Sequence, residues 1–385
     1  MFSHMSEQWL LLLILLVSTA FVFTTNVILR KETGIPGPRG WPVIGHLPLL
    51  HRKKIVHQTL MNLAQKYGPL YELRLGMLKV LVISSPDLAK EILKIQDASF
   101  ADRPFTIIGE LIGYQRKDII FSPTDDHWRF MRKLGSEFMS SKAIQKQQDL
   151  LIAGIDSTSI TIEFGMAELM RNPDVKEKLV KELDELVGRE RLVEESDLVN
   201  LKYLKMVIKE TFRLHPPVPV LLPRKSMEPA TVAGYKVPKN LQVLINSDAI
   251  QRSPESWDDP TSFRPERFAN NPVDVKGQDF CLLPFGAGRR QCPGMGIGGL
   301  MVEITLATFL QILEFSLPAG LKPEDVDMTA EAAMTSALVS PLLVSVKPRL
   351  SPKLCSMRTS GRTFQRSYVL TWNIIQVETG FGDKI

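Results

Sequence analysis

Twenty-one consecutive residues, Trp9 to Leu29, carry no charge. A helix rises about 1.5 Å per residue, so such a run can cross a ~30 Å hydrocarbon core in one pass. Glu7 precedes the run, Arg30 and Lys31 follow it directly, and a second basic cluster lies at Arg52, Lys53 and Lys54. Basic residues on the C-terminal flank orient that side to the cytoplasm. A cleaved signal peptide would carry its positive charge before the apolar stretch rather than behind it. A buried core helix is disfavoured by the terminal position. Residues 1–31 are therefore expected to form a membrane anchor, with everything downstream on its cytoplasmic side.

The segment Gly34-Ile35-Pro36-Gly37-Pro38, followed by Trp41-Pro42, cannot prolong that helix, because proline fixes φ and lacks a donor. It reads as a stiff connector. Beyond it the pattern predicts a helix over 58–67 closed by Gly68. Strands are predicted at 70–75 and 79–83 about a turn at Gly76, then a short helix over 86–95. From Leu150 the chain reads mostly helical. Apolar periodicity runs from Leu150 to Met170 and closes at Asn172-Pro173. Further helices are predicted over 174–187, 201–214 and 297–314, with strand-like stretches at 231–237 and 241–245. The expected fold is mainly α with a small β region. Residues after about Leu350 lack apolar periodicity until Val369-Leu370.

Of 385 residues, 44% are hydrophobic and the net charge is +5, so a large core can form. No basic run interleaved with aromatics occurs, which argues against nucleic acid as a partner. Three cysteines without a CxxC pair argue against a disulfide framework or a cysteine-rich zinc site and fit a reducing compartment.

The most specific string is Phe285-Gly286-Ala287-Gly288-Arg289-Arg290-Gln291-Cys292-Pro293-Gly294. Glycines at 286, 288 and 294 permit positive φ and close backbone approach to the sulfur. An apolar helix begins just past Cys292, and its N-terminal dipole favours a thiolate. A thiolate held by such a loop suits a haem iron, and Arg290 supplies a cation for a haem propionate. The competing reading is a glycine-rich turn around one buried structural cysteine.

The F-x-x-G-x-R-x-C-x-G string resembles the haem-binding loop of the cytochrome P-450 superfamily, in particular its plant microsomal group. The resemblance covers most of Gly34 to Leu350. It implies haem b as cofactor, Cys292 as the metal ligand, and Phe285, Arg290 and Gly294 as parts of the same cradle. Trp128-Arg129-Phe130-Met131-Arg132 is similar to the family's W-R-x-x-R segment, which implies Trp128 and Arg132 at the propionates, with Arg224 as a third partner; alone, an exposed basic helix is the default. Glu210 and Arg213, at i and i+3, together with Pro265-Glu266-Arg267-Phe268, look like the family's E-x-x-R pair and P-E-R-F segment. A solvated surface pair is the alternative. The resemblance instead implies a buried structural network of Glu210, Arg213 and Arg267. Ala153-Gly154-Ile155-Asp156-Ser157-Thr158 is similar to the oxygen-activating stretch of the family's long central helix, with Asp156 as the acid and Ser157 and Thr158 at the alcohol positions. A helix N-cap at Asp156 is the alternative. His215 reads as a helix-end residue and Cys281 as a packed small side chain.

The chain also departs from the family. Only Lys133 to Asp149 separates the W-R-x-x-R segment from the central helix, where members place a long helical stretch. The reading is a fold lacking helices D to H, with an internal deletion near 142–149 inside a catalytic domain spanning 32–350, and an atypical tail over 351–385. The lost helices include those that roof the substrate pocket. What remains of it would be lined near Phe105 to Gly113, Pro219 to Leu222 and Thr335 to Leu338. The resemblance implies a monooxygenase that inserts one oxygen atom of O2 into a lipophilic or phenolic small molecule. Electrons would come from NADPH through a reductase partner at the endoplasmic reticulum membrane. The alternative is a catalytically silent membrane-bound variant, because removing core helices bares apolar faces and admits water.

Overall fold

In the computed structural model, residues 7–30, 33–50, 55–138, 148–331, 333–351 and 375–378 are described. The basic cluster at 52–54, the segment 142–147, Cys355 and Val369-Leu370 lie outside the described residues. Helix α1, Glu7–Arg30, is continuous and carries the whole uncharged run. Its described side chains, Trp9 to Phe21, are all exposed. The chain divides into two compact units, residues 1–105 with 222–246 and residues 106–221 with 247–385.

In the first unit, α2 (Val56–Tyr67) ends at Gly68, whose φ of 94° only glycine adopts cheaply. Strands β1 (Leu70–Leu75) and β2 (Leu78–Ile83) form an antiparallel pair across Gly76. Tyr71 on β1 donates to the Leu60 carbonyl of α2 at 2.7 Å, tying helix to sheet. Helix α3 (Pro86–Lys90) is capped by the Ser85 side chain and runs into a wider turn over Glu91–Ile95. The strand-like stretch predicted at 231–237 is a hairpin instead: β4 (Ala230–Val232) and β5 (Tyr235–Val237) pair antiparallel. Ala233 and Gly234 both take positive φ, 47° and 82°, and make the two-residue turn. Alternation alone hides such a turn when its first residue is alanine. Strand β3 (Arg224–Lys225) pairs antiparallel with β6 (Gln242–Ile245), and β6 lies parallel to β2, giving the order β1-β2-β6-β3.

The second unit is helical: α4 (Ile107–Leu111), α5 (Asp126–Phe138), α6 (Gln148–Arg171), α7 (Pro173–Leu186), α8 (Lys202–Leu214), α9 (Ser247–Gln251) and α10 (Met295–Ile312). Phe164 and Leu169 of α6, Leu179 and Leu183 of α7, Leu204 and Phe212 of α8, and Leu306 and Leu310 of α10 share one core. Helix α6 runs unbroken through Gly154 to Thr158, so Asp156 is not an N-cap. Helix α10 is long and apolar enough to cross a membrane, yet it sends Val302, Leu306, Ala307 and Leu310 into this core. It ends two residues before the predicted Glu314, because the chain turns directly into β7 (Leu313–Ser316), antiparallel to β8 (Leu342–Pro348). The tail contributes β9 (Ile375–Glu378), parallel to the first half of β8. His215 caps the end of α8 as read from sequence, stacking on Phe164 with ring centroids 4.4 Å apart and bonding Glu168 at 2.7 Å. Cys281 is half-buried against the cluster of Trp257, Phe268 and Leu282.

Two predictions follow from these environments. Left-handed backbone costs a non-glycine residue on the order of 1 kcal/mol, less for asparagine. Replacing Ala233 by asparagine should therefore raise the denaturant midpoint without changing the slope. The second concerns Glu163 on α6, where burial pushes the carboxyl up to about 7 while the Leu342 amide pulls it back down. The folded chain then keeps a proton that the unfolded chain releases above about 4.5. Stability contributed by Glu163 is thus present at low pH and is lost as pH rises through that window. The Glu163→Gln variant should be the more stable protein at pH 8 and should flatten this slope; equal slopes in both proteins would refute the assignment.

Candidate functional site

The Phe285–Gly294 loop is shaped by its own backbone. Gly286 and Gly288 take φ of 65° and 70°, the left-handed conformations expected of them. Gly294 does not: its φ is −87°, and it serves as the N-cap residue of α10. The Phe285 carbonyl accepts from the Cys292 amide at 2.9 Å, closing the loop around a short turn at Gly288–Arg290. The Gly286 amide donates to the Leu283 carbonyl at 3.0 Å, and the Gln291 amide to Gly288 at 3.0 Å. The Phe285 ring meets Phe212 of α8 edge-on, 5.1 Å between centroids.

Cys292 thus stands three residues before α10. Cys292 is exposed as a residue, yet the protein packed around its thiol desolvates the thiolate. Burial therefore pushes the thiol up, while the Gly294 amide and the Arg132 guanidinium hold it down, and burial prevails.

Helix α5 supplies the cations. Arg132 Nη1 donates to the Gln291 carbonyl at 2.8 Å. Burial lowers the pKa of Arg132, and the neighbouring cysteine opposes that. Trp128 is buried, and its Nε1 donates to the Ile119 carbonyl at 3.1 Å. The Arg290 guanidinium lies 3.9 Å from the Trp128 ring centroid, a cation–π stack. Its Nη2 donates to the Ser122 carbonyl at 2.7 Å and to Thr124 Oγ1 at 2.9 Å. Cys292, Arg132, Trp128 and Arg290 are therefore brought together, as their motifs suggest. Arg224 belongs to the first unit, where its Nη1 donates to Asp97 at 2.9 Å in a buried pair.

On α6, Asp156 is exposed and Ser157 and Thr158 are half-buried. The carbonyls of the acid–alcohol pair accept side-chain hydroxyls: Ser159 Oγ donates to Asp156 at 3.0 Å and Thr161 Oγ1 to Ser157 at 2.8 Å. Back-bonding of this kind bends helices, and it sits on the residues whose helix propensity is poor.

Beneath the loop lies a buried ionic network, not a surface pair. Arg213 and Glu210 are fully buried, joined by Nε–Oε2 at 2.7 Å and Nη2–Oε1 at 2.8 Å. Arg267 Nε reaches the same Oε1 at 2.9 Å. The Arg264 amide adds a bond to that oxygen at 2.8 Å. The indole of Trp257 lies against both guanidiniums, with centroid distances of 5.4 and 6.0 Å.

Sequence reasoning missed one member of this frame. Gln251, fully buried at the end of α9, accepts from the Leu283 amide at 2.7 Å and donates to the Phe212 and Arg213 carbonyls at 3.0 and 3.1 Å. No local pattern marks it, because its partners come from two distant segments, the end of α8 and Leu283.

Removing one partner of a buried pair leaves an uncompensated charge, at a cost of about 3–5 kcal/mol. The Arg213→Ala variant should therefore fail to accumulate as folded protein. Lys178→Ala, which deletes an exposed pair with Glu266, should leave the unfolding midpoint nearly unchanged. Comparable losses in both would contradict the network reading.

Comparison with known proteins accounts for this combination. The family described as Cytochrome P450 matches residues 35–148 and 135–343, two segments that overlap at 135–148. A flavonoid 3'-monooxygenase of Crocosmia x crocosmiiflora is 31% identical over 474 aligned positions, covering 83% of this chain and 93% of the relative. Because 83% of 385 residues is about 320, roughly 150 of those 474 positions face no residue of this chain. A flavonoid 3'-monooxygenase of Arabidopsis thaliana is 30% identical, over 83% of this chain and 92% of its own. A zebra fish cytochrome P450 solved with abiraterone shares the fold, with a TM-score of 0.68 and 22% identity over 76% of this chain and 99% of that one. With the cysteine loop, the buried Glu–Arg–Arg network and the central helix all in their expected elements, this chain belongs to the cytochrome P450 family of monooxygenases.

Proposed function

We propose that this chain is a haem-thiolate monooxygenase acting on a lipophilic or phenolic small molecule, with electrons delivered from NADPH through a membrane-bound reductase. The observation that carries this reading is the Phe285–Gly294 loop, with an exposed cysteine at the N-terminus of α10 and a guanidinium beside it. These residues fit a haem. Sulfur is the soft donor that iron accepts, an amide already points at it, and cations flank it. A haem bound there supplies dioxygen activation and transfer of one oxygen atom.

The rest falls to the chain itself. Cys292 would be the sulfur that holds the iron, and the Gly294 amide and Arg132 would hold its charge. Phe285 packs between the loop and α8 and keeps water from the sulfur's flank. Arg132 and Arg290 offer donors to the carboxylates of the cofactor, and Trp128 holds the Arg290 plane in place. Asp156, with Ser157 and Thr158 on the next positions of α6, is the acid–alcohol set that passes protons inward. Serine retains the hydroxyl but lacks the methyl that restrains a threonine rotamer, so oxygen use is less tightly coupled to product.

Location follows from α1. Thirteen described side chains, Trp9 to Phe21, are exposed and predominantly apolar, which suits lipid rather than water. With basic residues behind it, α1 anchors the chain in the endoplasmic reticulum membrane, with the catalytic part on the cytoplasmic side.

A second reading has its own support. The roughly 150 unmatched positions, together with the division of the family match into two segments that meet at 135–148, fit a loss of helices D to H. Ile107, Ile108, Leu111 and Ile112 on and beside α4 are 48–78% exposed, as expected of side chains whose cover has gone. On this reading the chain binds its cofactor weakly and turns over little.

The reduced carbon monoxide difference spectrum of the membrane-expressed chain decides the first step. A thiolate-type band that disappears in Cys292→His is expected; a band unchanged by that substitution would remove Cys292 as the ligand. Turnover stoichiometrically coupled to oxygen consumption would dispose of the silent reading. Sequencing the transcript across Lys142 to Leu150 shows whether the missing helices are encoded.

A further inference from the structure

We propose that Gln251 is the positioning residue that fastens the cysteine loop to the end of α8, an inference that takes Cys292 as the functional residue of that loop. Helix α8 stops at His215 because Pro216 and Pro217 follow, so its last carbonyls have no helical donors. Gln251 Nε2 supplies two of them, at Phe212 and Arg213, and Arg252 Nη2 supplies Leu214. The same Gln251 amide turns its oxygen to the Leu283 amide at 2.7 Å. Its own main-chain carbonyl accepts from Arg213 Nη1 at 3.0 Å.

Hydrogen bonds joined through the intervening peptide units then lead to the backbone of Cys292. Leu283 is held by Gln251, the Gly286 amide is held by the Leu283 carbonyl, and the Cys292 amide is held by the Phe285 carbonyl. Leu283 is fully buried, so no solvent can replace the bond that Gln251 makes to it. The side-chain amide of Gln251 is itself satisfied on both atoms, and no apolar residue of the same volume reproduces that. The position lies on a five-residue helix, where an isolated polar side chain would gain nothing by turning inward unless these partners waited for it. The charge network around Arg213 is thereby transmitted to the backbone that presents the cysteine.

The test compares the unaltered full chain with Gln251→Met and Gln251→Glu. Peptide-level hydrogen exchange across 280–292 should accelerate about tenfold in Gln251→Met, while peptides of α6 and α7 keep their rates. Alkylation of Cys292, read by mass spectrometry at that site, should rise with it. In Gln251→Glu the acceptor for Leu283 persists while the donors to the Phe212 and Arg213 carbonyls are lost, so loop protection should fall between that of the unaltered chain and that of Gln251→Met. That variant also serves if Gln251→Met does not fold. The haem-loaded form of Gln251→Met should lose thiolate-type carbon monoxide band in favour of a band without thiolate ligation, and Gln251→Glu should restore part of it. Uniform acceleration of exchange over α6, α7 and the loop, or no change in either variant, would overturn the proposal. If the unaltered chain gives no thiolate-type band, the haem reading fails while the exchange comparison still decides the role of Gln251.

Discussion

The Arg213 guanidinium is the constraint on which the second unit rests. It carries five N–H donors, and each has a partner: both carboxylate oxygens of Glu210, and the carbonyls of Gln251, Pro260 and Ser262. A buried ion is tolerated only when its hydrogen-bonding capacity is met, since its desolvation costs several kcal/mol. Glu210 Oε1 in turn accepts from Arg213, Arg267 and the Arg264 amide. The arrangement pins α8, the end of α9 and the stretch 257–267 to a common point. Any shift of one segment strands a charge in a dry interior, so the geometry is all-or-none rather than gradual.

That rigidity has a use at the cysteine loop. A thiolate near protein mass that raises its pKa needs fixed donors, because mobile ones would pay the reorganisation cost on every approach of a ligand. The donors here are the Gly294 amide, set by the first turn of α10, and Arg132, set by its bond to the Gln291 carbonyl. The first is locked by the core contacts of Val302 and Leu306. The second depends on the loop keeping its shape, which leads back through Leu283 and Gln251 to α8. Electrostatics at the sulfur and packing beneath it are therefore parts of one structure.

Much of this was legible in the amino-acid order, for a physical reason. Helices α2, α7, α8 and α10 announce themselves by periodicity and by stop signals at Gly68, Gly188 and Pro216, which act through local backbone sterics. The E-x-x-R pair is local too, one helical turn apart. What escaped was non-local or masked by composition. The Ala233-Gly234 turn hides because alanine carries no turn signal, although the φ of 47° at Ala233 shows that tertiary pairing overrode its preference. Gly294 looks like its neighbours Gly286 and Gly288 in sequence, yet it caps a helix at negative φ. Gln251 is invisible because a glutamine's role is set by partners 32 and 38–39 residues away. The resemblance implies Trp128 at the propionates, and what no motif could show is that the Ile119 carbonyl engages its indole N–H and its ring face meets Arg290.

The two halves of the candidate site are therefore built to different standards. On the cysteine side every element is cross-braced. On α6 the core residues begin at Ile160, and Gly154 to Asp156 before them are exposed. The acid–alcohol set thus occupies the helical stretch that the core does not grip. Gly154 and Asp156 have poor helix propensity, and the hydroxyl back-bonds from Ser159 and Thr161 bend the helix rather than brace it, so little besides the main-chain ladder holds this stretch. A proton relay needs its groups held to fractions of an ångström, whereas an iron ligand needs only a firm loop. A chain with the roughly 150 unmatched positions described above can accordingly retain the attachment chemistry of its family and still lose control over where protons and water go. On the proposed reading, cofactor attachment and coupled turnover rest on different parts of the chain, and the core takes hold of α6 only from Ile160 onward.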